Sequence, residues 1–225
     1  MRNDYKEVLG RLKEERERMS LSQREMCQHV GMSQGQYCKI ENGEQYFSFH
    51  EVKKLSESGV DIHYIFTGQR VHSRYIKDIE AYDFREIICL LEVIYSAVTY
   101  YCVLTPSGFW RNLYREVQFI RLLDANQNFE NDFFVLLRRL NGLTQREMAL
   151  QFGMDTKKLR MLEKGQCQPD SELLWQFYRD FRVPPSIVIK DRQGLLNQAG
   201  CFLERIDSES KNNIIAMVKA FHMKN

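Results

Sequence analysis

The chain has little net charge for its size. Its 225 residues carry 32 Lys and Arg against 30 Asp and Glu, a formal +2 at pH 7. That falls short of the strongly basic footprint of many nucleic-acid binders, so any positive surface has to be local. The six cysteines, Cys27, Cys38, Cys89, Cys102, Cys167 and Cys201, include no C-x-x-C pair. Most fall on expected helices, which reads as reduced, buried thiols of a cytosolic protein rather than disulfides. The five histidines are scattered without metal-ligand spacing, and no cofactor or metal is expected. Clustered carboxylates and a Ser/His/Asp arrangement are also lacking, so the chain is not expected to be an enzyme. The opening Met1-Arg2-Asn3-Asp4 leads into a charged helix, unlike a signal peptide. What is present is enough for real cores, with 44% hydrophobic residues in a length that suits two small domains plus connecting material.

One 23-residue pattern occurs twice, 122 positions apart and without a gap. The first copy begins Leu21-Ser22-Gln23-Arg24-Glu25-Met26 and runs through Gly31-Met32 to Glu41-Asn42-Gly43. The second begins Leu143-Thr144-Gln145-Arg146-Glu147-Met148 and runs through Gly153-Met154 to Glu163-Lys164-Gly165. Ser22 with Glu25, and Thr144 with Glu147, have the spacing of a capping box. Gly31 and Gly153 stop the helix so opened, and Ser33 and Asp155 cap the next one. Inward positions on that second helix are Tyr37 and Ile40, or Leu159 and Leu162. Two short helices joined by a tight turn follow, twice, and such a unit presents a helix to the DNA major groove.

These stretches resemble the lambda-repressor/Cro-like, or xenobiotic-response-element type, helix-turn-helix family. Upstream, Leu12–Arg16 and Phe134–Arg138 sit where that family has its first helix. Downstream, Val52–Ser58 with Gly59–Ile62, and Leu173–Phe181 with Arg182–Pro184, resemble its fourth and fifth helices. The resemblance covers about residues 5–68 and 131–190, more than half the chain. It implies an Arg on the first helix paired with a Glu near the end of the third: Arg16 with Glu41, and Arg138 with Glu163. The expected fold is all-α, with two five-helix lambda-repressor-like domains joined by a helical hairpin and followed by C-terminal helices. The expected boundaries are 1–70, 71–130, 131–192 and 193–225.

Between the repeats, residues 85–104 form a long apolar run. It carries Glu92, Ser96 and Thr99, and is read as a buried helix rather than a membrane span. Ile87, Leu91, Ile94, Val98 and Tyr101 mark one face; Leu90, Val93, Ala97, Tyr100 and Leu104 mark another. Thr105-Pro106-Ser107-Gly108 makes a turn into a second helix with Phe109, Leu113, Val117 and Ile120 inward. This hairpin is either an internal core or a dimerisation element, with the amount of apolar surface favouring the dimer. Asp124–Asn128 reads as a linker. Gly194–Ile206 is expected to be helical, and Ser208 or Ser210 to cap a last helix. That tail either folds back on the second domain or pairs across a dimer.

The resemblance also places the reading residues. Gln34 and Gln36 sit at the exposed start of the first reading helix, where an amide can bond adenine bidentately; Lys39 reaches a guanine or a phosphate. Gln23 is expected to bond a phosphate and buttress the reader, and Gln45 and Tyr46 to touch the backbone. Gly35 departs from the family pattern by offering no side chain. The second copy presents Thr156, Lys157, Lys158 and Arg160, supported by Gln145, with cations in place of amides. Residues 1–68 hold 10 Lys and Arg against 11 Asp and Glu, whereas residues 131–192 hold 11 against 8. The second surface therefore attracts phosphate more strongly, or else is a solvated basic face on a domain kept for architecture.

The expected function is a sequence-specific transcriptional regulator, a repressor of the phage or mobile-element type acting by promoter occupancy. The alternative is an antitoxin-type protein that also sequesters a protein partner. Expected partners are double-stranded DNA, a second copy of the chain, and a protein partner or inducer, with no membrane. The expected location is the bacterial cytoplasm, at the nucleoid.

Overall fold

The computed structural model describes residues 5–71, 76–105, 107–122 and 129–222, with the backbone alone at 129–132 and 221–222. The expected linker Asp124–Asn128 and the opening Met1–Asp4 lie outside the described residues. So does Pro106 of the expected turn. The described residues form helices and no strand.

The first five helices are α1 (Lys6–Arg18), α2 (Gln23–His29), α3 (Gln34–Glu41), α4 (Phe49–Glu57) and α5 (Ile62–Thr67). Side chains cap four of these starts: Ser22, Ser33, Ser48 and Asp61 each accept from a backbone N–H three residues on. Such caps satisfy donors that the helix cannot bond internally. Val8, Leu9, Leu12, Met26, Tyr37, Ile40, Val52, Leu55, Ile62 and Phe66 close a core around them.

Then come α6 (Phe84–Leu104) and α7 (Gly108–Val117), followed by a 3-10 turn at Gln118–Leu122. The second set is α8 (Phe129–Leu140), α9 (Gln145–Gln151), α10 (Thr156–Glu163), α11 (Ser171–Phe181) and α12 (Pro185–Val188). It repeats the order of the first set, with Thr144, Asp155 and Asp170 as caps. The chain closes with α13 (Arg192–Arg205) and α14 (Ser208–His222).

Two apolar clusters divide the interior. One gathers residues 5–66 and takes in Leu174, Trp175 and Ile189 from the second set. The other runs without a break from Ile79 through the hairpin and the second set to Val218 in the tail. The tail therefore folds back onto the hairpin, with α13 and α14 both packed on α6.

The hairpin differs from expectation in three respects. By length and composition α6 is apolar enough to cross a membrane, but Ile87, Leu90, Leu91, Ile94 and Val98 are fully buried within a single chain. Ile94 and Val98, on the expected dimer seam, are thus interior. The second apolar face is covered only along its first half, since Tyr100 and Leu104 stay 61% and 59% exposed. Phe109, expected inward, is also exposed, because it is the second residue of α7 and lies beyond the reach of the packed ridge. In the tail, Asp207 rather than a serine caps α14, its carboxylate accepting from the Ser210 N–H at 2.9 Å.

The two five-helix sets meet at a joint built on Ser171. The Tyr5 hydroxyl donates to Ser171 Oγ at 2.6 Å, and the Phe47 N–H donates to the same oxygen at 3.0 Å. In return the Ser171 N–H donates to the Phe47 carbonyl at 2.9 Å. The Trp175 ring stands edge-on to Tyr5 beside these bonds. Helix α5 packs against α11, α12 and α13, so the joint is also apolar.

Candidate nucleic-acid interface

Helix α3 is fixed at both ends. Ser33 Oγ accepts the Gln36 N–H at 3.2 Å, and beyond Asn42 the chain turns through Gly43 at φ +81°. At the preceding turn Gly31 holds φ +65°, a left-handed conformation that suits glycine. Tyr37 and Ile40 face the core, fully buried, so the opposite face is left to solvent. That outward face carries Gln34, Gly35 and Lys39, all exposed, with Gln36 half-buried. At Gly35 an added Cβ would meet open space, so the outward face is flat at that point.

An ion pair seats α3 on α1. Arg16 Nε donates to Glu41 Oε1 at 2.8 Å, and Arg16 Nη1 donates to the Leu21 carbonyl at 2.9 Å. Both charged side chains are nearly buried, at 10% and 5% exposure. Gln23 completes the cluster: its amide donates to the other Glu41 oxygen, while its Oε1 accepts from the Cys38 thiol at 3.3 Å. Gln23 thus buttresses α3, tying the start of α2 to the end of α3.

The second set repeats the Arg–Glu–Gln bonds of this cluster. Arg138 Nε donates to Glu163 Oε1 at 2.6 Å and Arg138 Nη1 to the Leu143 carbonyl at 3.2 Å. Gln145 Nε2 donates to Glu163 Oε2 at 2.5 Å. Where Cys38 stood, Arg160 now donates to Gln145 Oε1 at 3.3 Å. Lys157, Lys158 and Arg160 are exposed on α10, and Thr156 is half-buried. Asp155 caps that helix, accepting the Lys158 N–H at 2.6 Å. The outward face of α10 is therefore cationic, whereas that of α3 is mainly amide.

Two further features come from the tertiary structure. The Gln36 amide donates to the Glu51 carboxylate on α4, which also accepts the Ser48 N–H. The Ser48-x-x-Glu51 box is visible as a motif, but its bond to Gln36 joins residues on different helices and leaves no local signal. Tyr46, expected at the DNA backbone, packs edge-on against Tyr5 at 5.0 Å and is half-buried. Gln45 beside it is exposed. Ring burial takes Tyr46 into the joint, because Tyr5 offers an apolar surface on the inner side of that loop.

The surroundings of the charged groups fit a fixed scaffold. Burial pushes the Arg16 guanidinium down, but its bond to Glu41 outweighs this and holds its pKa above the usual range. Glu25 and Glu147 are held below the usual carboxylate range by bonds from Ser22 and Thr144. No group of three or more His, Cys, Asp or Glu suited to a metal occurs among the described residues.

A family model described as Helix-turn-helix matches residues 12–58, the stretch from within α1 to the end of α4. The matched stretch contains α3 and its buttress, and the match supports DNA binding by this part of the chain. The second set lies outside it. No match to the chain was found among curated proteins or among solved structures.

Proposed function

We propose that the chain is a sequence-specific DNA-binding regulator of transcription, a repressor of the phage or mobile-element kind. Repression follows from promoter occupancy, since a protein seated in the major groove excludes other proteins from the same DNA. One observation carries this reading. Inside the matched stretch, α3 is anchored by the Arg16–Glu41–Gln23 cluster and turns Gln34, Gln36 and Lys39 outward. Amides and a cation at the start and end of such a helix suit base-edge readout and phosphate contact.

The second set is a second unit of the same type. Its support is the repeated Arg138–Glu163–Gln145 cluster on an identical spacing. Its role is phosphate attraction, for which Lys157, Lys158 and Arg160 stand ready. The protein acts in the bacterial cytoplasm, at the nucleoid.

The antitoxin-type alternative draws on a different feature. A groove of about 620 Å³ between α6 and α14 is lined by Val93, Ala97, Tyr100, Ile214 and Met217. Its exposed apolar end would suit a protein partner or a second copy. Selection of bound duplexes with purified full-length protein tests the regulator. A specific footprint by the protein alone supports it; DNA binding that appears only with a co-purified partner supports the alternative.

A further inference from the structure

We propose that one chain reads a compound, non-palindromic duplex, through two unlike reading helices locked in fixed relation by the Ser171 joint. This rests on the DNA-binding reading above and specifies the class of site. The usual route to two reading helices is a symmetric dimer on a palindrome, with equal half-sites. Here a single chain already contains two such helices.

The joint is where a dimer contact would be expected. It is made by the segments that follow the reading helices, Phe47 after α3 and Ser171 after α10. Equivalent elements also meet across it, since α5 packs on α12, its counterpart 122 positions on. Phe49, the counterpart of Ser171, lines a cleft together with Gln168 from the other set. The α5–α12 contact pairs like with like, as an isologous interface does, whereas the Phe47–Ser171 bonds join positions that are not counterparts. Both α3 and α10 keep their outward faces exposed. The segments that follow both helices meet at one hydrogen-bonded joint.

The two faces differ in chemistry. Gln34 and Gln36 suit base edges, whereas Lys157, Lys158 and Arg160 suit phosphate and guanine. A site that satisfies both has two dissimilar blocks. Their separation is set by a buried, hydrogen-bonded joint rather than by a flexible tether, so it should be nearly invariant.

Selection from random duplexes with the full chain, followed by variants, tests this. The expected result is two unlike blocks at one fixed separation. Inserting half a turn of DNA, about 5 base pairs, should lower affinity by roughly tenfold or more. Q34A should relax preference in one block only, and K157A/K158A should weaken binding at the other. Tyr5→Phe, which removes one hydroxyl from the joint, should reduce the penalty for the inserted spacer while keeping each block. Ser171→Ala should do so more strongly; if it fails to fold, Tyr5→Phe carries the test. A palindromic site whose two halves respond alike to Q34A would overturn the proposal, as would a single block or indifference to spacing. Enrichment of no duplex at all would overturn the DNA-binding reading itself.

Discussion

Arg16 and Glu41 illustrate what a single nearly buried residue does here. Arg16→Ala leaves the Glu41 carboxylate with little water and without its main cationic partner. It should destabilise by about 3–5 kcal/mol in denaturant unfolding. Arg138→Ala should act in the same direction through Glu163, which is 6% exposed. Destabilisation well under ~1 kcal/mol in both would show that solvent replaces the missing guanidinium. A second residue sets the response to acid. His63 on α5 is 1% exposed, its Nδ1 has no partner among the described residues, and its Nε2 lies 3.6 Å from Cys201 Sγ on α13. Burial pushes its pKa down to about 4 from 6.5. The unfolded chain therefore binds that proton more readily than the folded one. The contribution of His63 is complete above pH 6.5 and is lost as pH falls toward 4, by about 3 kcal/mol. Burial raises Asp61 and Asp191, which act in the opposite direction on acidification. The wild type should therefore be compared with His63→Gln by unfolding between about pH 7 and 4. The gap in stability should shift toward the variant as pH falls, and parallel profiles would refute the neutral buried imidazole.

At the scale of the element, α3 and α10 are built alike but surfaced differently. Replacing Gln34 or Gln36 with Ala should weaken binding to the selected site by about 1–3 kcal/mol, with less effect on random DNA. Equal effects on both would mean that the amides touch only phosphate. Gln36 begins from its bond to Glu51, so its net effect should be the smaller of the two. Lys157 and Lys158 replaced together by Ala should weaken binding across sequences. The log–log salt slope should fall by about 1 for each phosphate that is no longer neutralised. An unchanged slope would show that α10 is away from the DNA in that complex.

For the whole molecule, the distribution of apolar surface decides what self-association would use. The expected seam residues Ile94 and Val98 are interior, so charges there should unfold the chain rather than dissociate it. An apolar surface left for a second copy is the hairpin tip, the end of α6 and the start of α7. Val103 is 75% exposed there, and Leu104 and Phe109 of the same hairpin tip are exposed too. Val103→Glu with Leu104→Glu should abolish association in sedimentation at micromolar concentration while leaving helicity and melting unchanged. A wild type that is already monomeric in that range would rule the face out as a dimer contact.

How much was legible in the sequence differs by kind of interaction. The caps, the glycine stops and the inward positions of both helix-turn-helix stretches were readable, because each depends on residues within four positions of one another. The Arg16–Glu41 pairing became readable only through resemblance and repetition, since its partners stand 25 residues apart. Tertiary structure alone decided the rest. Ser171 looks like an ordinary helix-start serine until Tyr5 and Phe47 close on it from 166 and 124 residues away. The two apolar faces of α6 were visible from their spacing, but which one is buried depends on where α13 and α14 return. Local sequence determined the helices and the outward chemistry of α3 and α10. Long-range packing decided how those faces are held together, because helix periodicity specifies a face and carries no information about what will cover it.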